Sequence, residues 1–148
     1  MREILFRGIR IDNGEWVEGA FCMKDCDSPF GEIVDRPSII KYEEPHSGYW
    51  FRVDLETVSQ FTGVTDKNGK KIFEGDIVHV LGNQQVEDWK HVDYIGSIAF
   101  LDAGFCVIDG TIEDHAFRRY QLPRLDFDLK VIGNIHDSPE LLEVSDGT

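Results

Sequence analysis

The chain has 148 residues, of which 41% are hydrophobic, with ten Phe, four Tyr and three Trp; at this length one domain can bury roughly 70% of its unfolded surface without disulfides or metals. Fifteen basic and 28 acidic residues give a net charge of −13, which opposes binding to phosphate backbones or anionic membrane surfaces, since both need a surplus of Lys and Arg. Aromatic richness with 14 Gly and 5 Pro favours strands and turns.

The first predicted element is a hairpin, Ile4 to Ile11 and Glu15 to Met23, around Asn13-Gly14. A two-residue type I′ turn there needs positive φ at both residues. It would set Arg10 opposite Val17 and Phe6 opposite Phe21, and would put Ile4, Phe6, Val17, Phe21 and Met23 on a core face. Cys26 to Phe30 reads as a loop. Ser38 to Tyr42 and Tyr49 to Val53 are short strands.

The stretch Val58 to Val80 is the richest in pattern. It reads as strand, Asn68-Gly69 turn, strand, a bend at Glu74-Gly75-Asp76, and strand. Centred on Asn68-Gly69, Val64 faces Phe73 and Asp66 faces Lys71. Phe6, Val17, Phe21, Val64 and Phe73 are then expected in one core, and the bend at Gly75 turns a corner of a small barrel. Gly82 to Val92 lacks alternation and reads as a loop or short helix. Tyr94 to Phe100 and Phe105 to Ile108 form a hairpin around Leu101-Asp102-Ala103-Gly104. Glu113 to Tyr120 has a short helical pattern, and Leu129 to His136 is a last strand. Ser138 and Pro139 then open a short helix as cap and first helical residue. The tail, 144–148, is polar. The expected fold is mostly β: a small barrel-like core of antiparallel hairpins with one or two short helices, one of them near the C-terminus, in a single domain over 1–148.

Three cysteines, Cys22, Cys26 and Cys106, form an odd set. The opening MREILFRGIR carries Arg2, Glu3 and Arg7 and no apolar signal core. Together these point to reduced thiols in a cytoplasm. No apolar run approaches the roughly 20 residues of a membrane span.

Motifs for chemistry are weak. Asp66-Lys67-Asn68-Gly69 opens like a calcium loop, but Lys71 and Ile77 stand where Gly and a bidentate Glu are needed. Cys22 and Cys26, with His46, fall short of the four ligands of a zinc site. Asp114-His115 and His136-Asp137 pair acid with imidazole, yet neighbours on a strand point to opposite faces. Phosphate loops are absent from the sequence. No catalytic, cofactor-binding or metal-binding residue is assigned, and no cofactor is expected. Trp50, Trp89 and Tyr94 read as core or as a partner surface.

Three blocks resemble the YopX family, small proteins of bacteriophages and prophages. They are Phe6-Arg7-Gly8 running on to Asn13-Gly14-Glu15-Trp16-Val17-Glu18-Gly19, then Thr57 to Val78, and Val131 to Leu142. The resemblance implies a mostly-β fold with a barrel-like core and a phage or prophage gene working inside a bacterial cell. It carries over no catalytic residues, because the shared positions are glycines, turn residues and apolar strand positions. The expected role is a non-enzymatic interaction module with an unknown protein partner or with itself, and without nucleic acid or membrane. An acidic decoy of a nucleic-acid-binding host protein and, behind it, a small hydrolase are the alternatives.

Overall fold

The structure, a computed structural model, describes residues 3–27, 33–44, 47–84, 90–109, 118–121 and 127–143. It divides into two compact units, Met1–Phe61 and Thr62–Thr148. Eleven strands carry most of the described residues.

In the first unit, β1 (Phe6–Ile9), β2 (Trp16–Asp27), β3 (Ile33–Glu44) and β4 (Ser47–Arg52) pair antiparallel in sequence. A 3-10 turn, Leu55–Thr57, capped by the Asp54 carboxylate on the Glu56 N–H, leads into β5 (Ser59–Thr65). The start of β5 returns to the free side of β1, so the order is β4-β3-β2-β1-β5. One isolated bridge joins Arg10 to Val53, but among the described residues the sheets are not closed into a barrel. The barrel expected from the bends is therefore replaced by open antiparallel sheets.

The first hairpin closes more widely than a two-residue turn. The Arg10 N–H donates to the Glu15 carbonyl at 2.8 Å, and the Gly14 N–H to the Arg10 carbonyl at 3.0 Å. Of the turn residues only Gly14 takes a positive φ, 73°. Phe6 consequently faces Gly19 and Gly8 faces Val17. This is a slip of two residues from the expected register, so each side chain keeps its face. Phe6 and Phe21 still meet, as diagonal neighbours with ring centroids 5.8 Å apart. Val17, Ile39 and Val53 form the buried core of this unit, with Phe6, Phe21, Phe51 and Val58 packed against it. Ile4, which precedes β1, and Met23, within β2, are exposed, against their expected place in the core.

In the second unit, β5 passes to β6 (Lys71–Phe73). The sheet that follows has the order β10-β9-β8-β7-β11, from β7 (Asp76–Gln84), β8 (Lys90–Leu101), β9 (Gly104–Asp109), β10 (Arg118–Gln121) and β11 (Phe127–Asn134). Its core is Ile72, Val78, Val80, Ile98, Val107, Leu129 and Val131, with Val64 packed against it. Val64 thus belongs to a different cluster from Val17, and the single core expected from the two Asn-Gly turns is two. Two further expectations change. Gly82–Gln84 and Lys90–Val92 extend β7 and β8, and Arg118–Tyr120 lies on β10 rather than a helix. The rest of the predicted helix, from Glu113, lies outside the described residues, as do Ser28 to Phe30 of the predicted loop; Cys26 and Asp27 are on β2. The short C-terminal helix is present as α1 (Glu140–Glu143).

The turn that does have type I′ signs is Asp102-Ala103, with φ of 51° and 64° between the paired Leu101 and Gly104. An alanine in the left-handed region costs about 1–2 kcal/mol. Ala103→Gly is therefore expected to raise stability by about 0.5–1 kcal/mol, net of glycine's chain entropy, as a higher urea midpoint. Gly19 shows the opposite constraint. A Cβ there would lie 2.1 Å from the Ile40 carbonyl oxygen on the neighbouring strand, so Gly19→Ala should lower stability by about 3 kcal/mol in the same titration.

Candidate functional site

The polar groups with built geometry cluster on the loop 66–70 and its surroundings in the second unit. The Gly69 N–H donates to the Asp66 carbonyl at 2.9 Å and the Asp66 N–H to the Lys70 carbonyl at 2.7 Å, with Gly69 at φ 81°. This is the three-residue hairpin loop, a tight turn followed by a left-handed glycine. It sets Asp66 opposite Lys70 where a two-residue turn would have given Lys71, and a one-residue change reverses faces. Ile72 thereby enters the core beside Val64.

Asp66 is 7% exposed. One carboxylate oxygen accepts the N–H groups of Asn68 and Lys70, both at 2.9 Å. The other accepts the Val131 N–H at 3.0 Å. Burial pushes this carboxyl up, but the N–H groups of Val131, Lys70 and Asn68, with the Lys70 charge, outweigh it and hold it below the ordinary range. A carboxylate so occupied serves as a main-chain acceptor, which gives the calcium-like opening of this segment a structural meaning. Ten residues on, Asp76 is 1% exposed and accepts the Phe73 N–H at 2.8 Å across the bend at Gly75, where φ is 86°. Glu74, between them, is pushed up by burial.

The residues weighed for chemistry are not brought together. Cys22 and Cys26 both lie on β2, opposite Ser38 and Val34. Four residues along a strand span about 13 Å, too far for two ligands of one zinc ion. His46, Asp114-His115 and Trp89 lie outside the described residues. His136 and Asp137 form the exposed turn after β11. There the Asn134 side-chain oxygen accepts their two N–H groups, and its amide donates to the Asp137 carboxylate at 3.0 Å. Ser138 contributes its carbonyl, which accepts the Leu141 N–H at 3.1 Å. Among the described residues no group of three or more His, Cys, Asp or Glu could hold a metal ion.

Two arrangements were not visible in the sequence. His79 on β7 and Asp93 on β8 meet at 2.6 Å between Nε2 and Oδ1, with the side chains 34% and 56% exposed. The contact fixes the imidazole's orientation, and at an exposed position it contributes at most about 1 kcal/mol. In the first unit, Arg7 is buried, donates from Nε to Ser59 Oγ at 3.2 Å, and lies 4.7 Å over the Trp16 ring. Both depend on strand register, which the turn signals alone misplace.

The remaining prominent surface is on β4. Tyr49 and Trp50 are 53% and 48% exposed on the strand that ends the sheet order. As strand neighbours they point to opposite faces and flank the sheet edge.

The family model for the YopX protein matches residues 5–143. The chain belongs to the YopX family. The match takes in the Asp66 loop, the Gly75 bend and the turn after β11. Among solved structures, protein EF1440 from Enterococcus faecalis is 25% identical to this YopX-family chain, with 96% of this chain and 99% of that chain covered and a TM-score of 0.45. No curated protein matches the chain. No helix among the described residues is long and apolar enough to cross a membrane.

The Asp66 geometry fixes a pH dependence. The carboxyl is held low in the folded state, so its contribution is fully present above the unfolded value, about pH 4, and is lost as pH falls through the folded value. Wild type should therefore exceed Asp66→Asn in urea midpoint at pH 6, and the gap should close progressively as the pH is lowered from about 4 toward 2.

Proposed function

We propose that this chain is an accessory protein of a phage or prophage that acts inside a bacterial cell by contact with another protein rather than by chemistry. The observation that supports this is the pair Tyr49 and Trp50 on the edge strand β4. Large aromatics half-open to solvent cost burial energy that a partner can recover, and such side chains dominate interface energetics. An edge strand adds main-chain groups to which an extended segment can pair. The polar groups with the most elaborate geometry, Asp66 and Asp76, are occupied by the chain's own N–H groups, which leaves recognition to the surface.

A second reading rests on the net charge of −13: an acidic decoy that occupies a nucleic-acid-binding host protein. The two separate in one experiment. Immobilised wild type and a Tyr49→Ser/Trp50→Ser variant, matched by circular dichroism, are used to capture proteins from a bacterial lysate at low and high salt. A partner held at both salts by wild type and lost from the variant supports the contact reading. A partner released by salt and indifferent to the aromatic pair supports the decoy. Capture unaffected by both changes overturns both readings.

A further inference from the structure

The loop 66–70 does more than join β5 to β6. Strand β11 pairs with β7 along one side, from Phe127 opposite Gly82 to Asn134 opposite Asp76, and it ends the sheet order on the other. On that outer side the loop stands in for a strand. The Lys67 N–H donates to the Leu129 carbonyl at 2.9 Å, and the Asp66 carboxylate accepts the Val131 N–H at 3.0 Å. These two groups flank Lys130 and form one rung of the ladder that a sixth strand would make.

The attachment is polar and local. Lys67, Asn68, Gly69 and Lys70 are all exposed, so the loop leaves little apolar surface behind if it lifts. The strands on either side are fixed independently, Val64 and Ile72 in the core and Leu129 and Val131 by their side chains in the same core. The Asp66–Val131 hydrogen bond is buried, but the four loop residues that follow it have no buried apolar contacts to lose, and such segments open at a free energy well below that of global unfolding.

We propose that residues 66–70 form a strap that opens as a unit about Thr65 and Lys71, with the Asp66 carboxylate as its lock on the edge of β11. The strap withholds the Leu129 carbonyl and the Val131 N–H, the groups through which β11 would accept an added strand. The charged side chains of the two elements that meet here are Asp66, Lys67, Lys70 and Lys71 on the loop and its exit, and Asp128 and Lys130 on β11. Lys70 favours the ionised lock.

Amide hydrogen exchange by NMR tests this on the full chain at neutral pH. In wild type, Val131 should exchange at least about tenfold faster than Val80 and Ile98, whose opening needs global unfolding. In Asp66→Asn, Val131 should exchange about tenfold faster again, the loss of a charge-assisted hydrogen bond, and Val80 and Ile98 should accelerate by no more than the fall in global stability. Lys67→Pro removes only the donor to Leu129, at a turn position that favours proline, and should give an intermediate acceleration of Val131. Unchanged Val131 in Asp66→Asn, or a Val131 that exchanges as slowly in wild type as Val80 and Ile98, overturns the strap. Lys67→Pro matching or exceeding Asp66→Asn overturns Asp66 as its lock. If Asp66→Asn does not fold, the loop is part of the global unit and the proposal fails.

Discussion

Three backbone N–H groups converge on the carboxylate of Asp66, and the joining of the loop 66–70 to the last strand depends on that convergence. Two of them, from Asn68 and Lys70, shape the loop that carries the aspartate. The third, from Val131, belongs to a strand far along the chain. A single side chain thus fixes a local turn and ties that turn to the last strand of a sheet. Its negative charge makes this economical, because ionised acceptors bond about twice as strongly as neutral ones. Burial opposes the charge and the hydrogen bonds overcome the opposition.

The fold class was legible in the sequence because period-2 alternation and turn residues are local signals. The hairpins around Gly14, Gly69 and Asp102-Ala103, the bend at Gly75 and the short helix after Pro139 were all marked by such residues. Register was less legible, since an Asn-Gly pair admits loops of several lengths. At Gly14 the loop is longer by two residues, which preserved the facing of Phe6, Val17 and Phe21. At Gly69 the closing pair is Asp66 with Lys70, a change of one, and Ile72 rather than Phe73 became Val64's partner in the core. Parity explains why one hairpin was read nearly correctly and the other was not. The barrel failed for a different reason: a bend in one strand is a local event, whereas closure needs the first and last strands of a sheet to pair.

The candidate site was less legible still. The pairs weighed in the sequence were neighbours in the chain, His136 with Asp137 and Cys22 with Cys26. The pair that the fold assembles, His79 with Asp93, spans two strands and follows from the register of β7 on β8. Arg7 over Trp16 required β1 and β2 to be aligned. The exposure of Tyr49 and Trp50 depended on β4 lying at a sheet edge, a property of strand order that composition does not carry. By contrast the sequence does single out Asp66, as the opening of a calcium-like loop and opposite Lys71. Its burial could not be seen without Val131.

The bend at Gly75 bears on how relatedness should be read. Asp76 accepts the N–H of Phe73, and Gly75 supplies the positive φ that lets the chain turn back. Glu-Gly-Asp is in this sense a statement the backbone makes about itself. A motif of that kind is a good tracer of descent, since the residues that complete it lie within a few positions and travel together through insertions elsewhere. It is a poor tracer of vocation. Two chains that share it inherit a common way of turning a corner, while the edge of β4 can be rewritten in each without disturbing the bend.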